Sequence, residues 1–191
     1  VLVSFLEDVW ARNFINLFAS PLSIGEYIAG NIITSLATNT LVLTALFSLA
    51  WLLFAYNIFT LGLLLIPYIA ILLVFGTALG IVTVSLVLRF GPASEWFGWW
   101  LPFVFMPVSA VFYPVSALPT WLQPLAAISP PAYVFEGMRA LLGGSVPAAN
   151  GLLFGFLTAF GYLALAGFFL WHVYRTVLRT GSLARFSAEI G

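Results

Sequence analysis

Apolar residues run along this chain in long blocks, broken at only a few places by clustered polar or charged ones. The first 20 residues are the exception, because there the two kinds alternate. Over SFLEDVWARNFINLFAS, residues 4–20, helical spacing places Leu6, Trp10, Phe14 and Leu17 on one side, with Asp8, Arg12 and Asn16 opposite. Ser4 with Glu7 three residues later has the form of a capping box, and Ser20-Pro21 supplies the stop. The pattern predicts an N-terminal amphipathic helix, either lying on a membrane surface or docking a partner.

The remaining blocks are long enough to cross a bilayer. Residues 27–88 are 62 consecutive uncharged positions, 96–135 are 40, and 140–174 are 35 with His172 neutral. A crossing needs about 20 apolar residues. Spans are therefore predicted over 29–55, 62–88, 98–117 and 150–174, following a cytoplasmic segment 1–25 and preceding a cytoplasmic tail 175–191. The stretch 92–147 differs in kind, since it carries nine of the eleven prolines. Pro102, Pro107 and Pro114 should kink or break the third span. Residues 118–146 are too rich in proline for a crossing and too apolar for a solvated loop. They fit an external re-entrant hairpin, with one short helix starting over Pro119–Leu125 and a second over Ala132–Leu142, packed on the third and fourth spans. The fold class is all-α, a polytopic membrane helical bundle.

Composition sharpens this reading and excludes much. Hydrophobic residues make up 63% of the 191 and charged residues 6%, far below the roughly 25% of soluble domains. All six basic residues are arginine, which excludes a P-loop lysine and a lysine Schiff base. Without cysteine, and with a single histidine, thiolate zinc sites and paired-histidine metal motifs are excluded too. No cofactor is expected, and no basic run supports nucleic-acid binding. Arg12, Arg89, Arg175, Arg179 and Arg185 fall on one side of a four-span topology, against Arg139 on the other. The positive-inside rule then makes both ends cytoplasmic. His172, between Trp171 and Tyr174, and Glu95 with Trp96, Trp99 and Trp100 read as interfacial belts. Gly76-x-x-x-Gly80 and Gly151-x-x-x-Gly155 have the small-residue spacing of close helix approach.

Four stretches together resemble the membrane subunit of ABC type-2 exporters. FLEDVWARNFINLFASPLSIGEYIAG is similar to the cytoplasmic amphipathic segment before that family's third span. GTALGIVTVSLVLR resembles its fourth span, and FMPVSAVFYPVSALPTWLQPLAAISP its fifth span with the external element that follows. PPAYVFEGMR is similar to a Pro-x-x-Tyr-x-x-Glu-x-x-Arg pattern, with Tyr133, Glu136 and Arg139 in register. The resemblance implies a six-span permease, so two spans should precede this segment, in keeping with a first residue that is not methionine. It also implies a separate ATP-binding-cassette ATPase partner and a second permease copy or related subunit, in a bacterial or archaeal inner membrane. ATPase coupling would fall to Glu7, Asp8, Arg12 and Asn13, with Trp10 and Phe14 anchoring the helix. Glu136 and Arg139, three apart, should form a structural external pair beside Tyr133. The expected function is export of an amphipathic substrate (a drug, lipid or polysaccharide) by alternating access. The alternative is a secondary transporter or channel without an ATPase, which would normally carry charged residues at mid-membrane depth.

Overall fold

A computed structural model describes residues 2–10, 21–55 and 62–180. Among the described residues seven α-helices follow one another: α1 Leu2–Trp10, α2 Ile24–Phe54, α3 Leu65–Phe90, α4 Trp96–Phe105, α5 Gln123–Ala127, α6 Pro130–Leu142 and α7 Gly151–Thr180. No strand occurs among the described residues, and the chain is an all-α membrane helical bundle. Among the described residues three helices, α2, α3 and α7, are long and apolar enough to cross a bilayer.

Local chemistry sets the helix ends. The capping box forms at Ser23 and Glu26 rather than at Ser4 and Glu7. Glu26 N–H donates to Ser23 Oγ at 3.3 Å, and Ser23 N–H donates to Glu26 Oε2 at 2.8 Å. Helix α1 already begins at Leu2, so Ser4 lies inside it; the predicted continuation through 11–20 lies outside the described residues. Gly91, at φ 92°, ends α3 immediately before Pro92. Helix α6 begins two residues earlier than expected, because Pro130 and Pro131 occupy its first positions, where a missing amide donor costs least.

The third predicted span differs from its expected form. The α-helix ends at Phe105, and Met106 N–H turns to the Phe103 carbonyl in a 3₁₀ turn over Met106–Val108. Pro102 and Pro107 each remove a donor from this run. With the preceding 3₁₀ turn Pro92–Glu95, the helical stretch 92–108 is roughly 29 Å long at ~2.0 Å per 3₁₀ residue and ~1.5 Å per α residue. That approaches the ~30 Å of a hydrocarbon core. Residues 109–117 continue without α-helix.

Helices α3 and α7 make the most extensive contact in the molecule. Gly155, Ala159, Ala166, Val173 and Val177 form the buried stripe of α7, at the spacing of a helix–helix seam. Phe75 of α3, Phe105 of α4 and Tyr162 of α7 pack edge to face, with centroids 5.1, 5.2 and 5.6 Å apart, and tie the short α4 to this pair. The hairpin packs on α7 as expected. Its other support is α3, the second span, where Val134 joins Tyr68, Ile71 and Phe75. Contact with the third span runs through α5, which meets the 3₁₀ turns Met106–Val108 and Val115–Ala117, and through Ala132 of α6, which joins Val108 and Ala110.

Close approach at Gly155 makes a test. A Cβ there would lie 2.9 Å from Ile71 Cδ1 and 3.3 Å from Tyr133 Cβ, whereas one at Gly161 meets nothing within 4 Å. Gly155→Val should cost about 1–3 kcal/mol and lower the melting temperature by roughly 5 °C. Gly161→Val should melt like the parent; equal melting of the two variants would dismiss the seam.

Candidate functional site

Two polar constellations sit at opposite ends of the α3–α7 pair. The first is built on α1, which packs on the C-terminal part of α3 and on α2. Phe5 and Leu6 are fully buried there with Val84, Val87, Leu88, Val173 and Val177, and Leu2 packs beside them. Leu2, Phe5 and Leu6 have i, i+3, i+4 spacing, so one face of α1 is fixed while Val3 and Glu7 face outward. Asp8 is engaged within the chain: Tyr27 Oη donates to its Oδ2 at 2.7 Å, and the Phe5 and Tyr27 rings meet edge to face. This joins α1 to the first turn of α2.

Glu7 and Asp8 therefore differ, one exposed and the other tied to Tyr27. Arg12, Asn13 and Phe14 lie outside the described residues, as does the side chain of Trp10. The anchors the structure describes are Phe5 and Leu6. Phe5 was legible in the spacing from Leu2, had the helix been started two residues earlier. Tyr27 carried no signal, because it stands 19 residues from Asp8.

The second constellation is a clamp on the hairpin. Arg139 Nη1 donates to Glu136 Oε1 at 2.9 Å, and Arg139 Nη2 donates to the Ala110 carbonyl at 2.7 Å. The same Glu136 oxygen accepts the Val115 amide at 2.7 Å. One side-chain pair thus satisfies backbone groups at both ends of the irregular stretch after α4, which has no helix of its own to do so. Ala110 is fully buried at φ 57°, a conformation unfavourable for alanine, and its carbonyl is held by the guanidinium. Tyr133 Oη donates to the Ala127 carbonyl at 2.6 Å and closes the α5–α6 turn. Glu136 and Arg139 are brought together, while Tyr133, one turn earlier on α6, bonds elsewhere. Their backbone partners were not legible, since a main-chain donor or acceptor leaves no mark in residue type.

The clamp and the α1 patch fall within one region of family similarity. A family model described as ABC-2 type transporter matches residues 3–143. The chain belongs to the ABC-2 type transporter family. The match runs from α1 to the end of α6 and leaves α7 beyond it. No curated protein and no solved structure matches the chain. As an ABC-2 permease it is a membrane transport protein and not itself catalytic. No group of three or more potential metal ligands occurs among the described residues.

The clamp depends on the fork of the guanidinium, with one nitrogen on a carboxylate and another on a carbonyl. In this ABC-2 permease, Arg139→Lys should keep the charge but lose one of the two bonds, at a cost of about 1–3 kcal/mol. Limited proteolysis should then cut residues 109–118 faster than in the parent. Cleavage at the parental rate would show that the fork does not hold this stretch.

Proposed function

We propose that this ABC-2 permease is the membrane-spanning subunit of an ATP-driven exporter, with hydrolysis carried out by a separate ATP-binding-cassette ATPase. Two copies, or two related subunits, form the pathway between them, and alternating access moves an amphipathic substrate. The arginine distribution supports an inner-membrane orientation with both ends cytoplasmic. Helix α1 then faces the cytoplasm and the clamp faces outside.

The observation that carries this reading is the two-sided character of α1. A lever needs one face fixed to the moving domain and another that a partner can push. Phe5 and Leu6 meet the first requirement, being fully buried in the cluster built on α3, and exposed Glu7 meets the second. Asp8 takes a positioning role, holding α1 to α2 through Tyr27. Arg12 and Asn13 extend the polar face by sequence. Motion of α1 would pass directly into α2 and α3, and through α3 into α7.

Glu7→Ala should leave membrane insertion and the melting temperature unchanged while lowering substrate moved per ATP hydrolysed several-fold. Tyr27→Phe should lower the same ratio by loosening α1 from α2, with Glu7 intact. Parental transport and hydrolysis in both variants, with an ATPase bound, would remove α1 from the coupling role.

A further inference from the structure

We infer that the cavity beneath the hairpin is a binding site for a neutral, polyhydroxylated group, the chemistry of a sugar ring. The cavity measures about 360 Å³ and lies between α6, α5 and the first turns of α3 and α7, within the range of small-ligand sites. Its walls are mostly alanine, glycine and proline, so they set shape without adding charge.

Three polar groups converge on it. Tyr68 lines the cavity although only 2% exposed, and its hydroxyl makes no hydrogen bond among the described residues. The hydroxyl is open to the cavity and is a donor that a ligand can engage. The phenol lies against Gly137, where a Cβ would overlap it, so the backbone of α6 leaves the ring its place. Glu136 lines the same space; its Oε1 takes the bonds from Arg139 and Val115, which leaves Oε2 as an acceptor. Gln123 spends its Nε2 on the Leu118 carbonyl, leaving its side-chain oxygen as a second acceptor. The Glu136 charge is already balanced by Arg139, which favours a neutral ligand over a cation. One donor and two acceptors around a small cavity suit adjacent hydroxyls, since each hydroxyl both donates and accepts.

This inference concerns a ligand of the hairpin and stands apart from ATPase coupling. The test is saturation-transfer NMR on the protein in phosphatidylcholine nanodiscs, whose headgroup has no hydroxyl. The probe is methyl β-D-glucoside, with monoglucosyl diacylglycerol added to the disc in a second arm. Magnetisation should pass to the sugar ring protons. Tyr68→Phe, which keeps the packed ring, should weaken binding about fivefold, the effect of one hydrogen bond. Ala140→Leu, which fills the cavity, should abolish it. Displacement of the free sugar by the glycolipid would identify a lipid headgroup as the occupant; undiminished signal would identify a free solute. Absence of transfer in both arms, or equal transfer in the parent and both variants, would overturn the inference.

Discussion

The contact between α3 and α7 carries the rest of the molecule. In lipid there is no hydrophobic gain from bringing two apolar helices together, so association rests on close packing of backbones over small side chains. Gly155, Ala159 and Ala166 of α7 and Ala78 of α3 provide it, all buried. Helix α3 is the most enclosed of the three long helices, with 56% of its most apolar window buried, against 17% for α7 and none for α2. Much of the rest is mounted on this pair, while α2 meets the bundle through α1. Helix α1 rests on one end, the hairpin on the other, and α4 is pinned between them by the Phe75–Phe105–Tyr162 rings.

Charge is scarce in this chain, and the two ends use it differently. At the hairpin, Glu136 and Arg139 are turned inward on the protein's own backbone, where prolines have removed the helix that would otherwise satisfy it. At the opposite end Arg175 stacks on Trp171, 4.0 Å from its ring, and Glu7 stays exposed. The charged pair at one end is spent on the protein's own backbone, while Glu7 at the other end is not. That asymmetry suits a permease driven from one side only, as proposed above.

The long helices were legible because an apolar block of more than 25 residues has few other solutions. The Glu136–Arg139 pair was legible because three residues of separation on a helix bring side chains together. The third span was harder. Its prolines signalled a break, but they did not say that 3₁₀ turns would carry the helical path on to Val108. Ser4 with Glu7 and Ser23 with Glu26 fit the same four-residue pattern, and only the start of α1 at Leu2 makes the second the capping box that forms. Tyr27 on Asp8, and Tyr68 over Gly137, are tertiary contacts between distant positions. No local pattern announces them, because the meeting is decided by how α1 and α6 seat on the long helices.

If α1 is the element an ATPase pushes, the outward position next to Phe5 and Leu6 must lie against that ATPase in the assembled transporter. A photo-crosslinking residue at position 7, with a control at position 145 just after α6, tests this in intact membranes. Irradiation should join position 7, and not position 145, to an ATP-binding-cassette ATPase. Crosslinking of position 7 to lipid alone, or of position 145 to the ATPase, would contradict it.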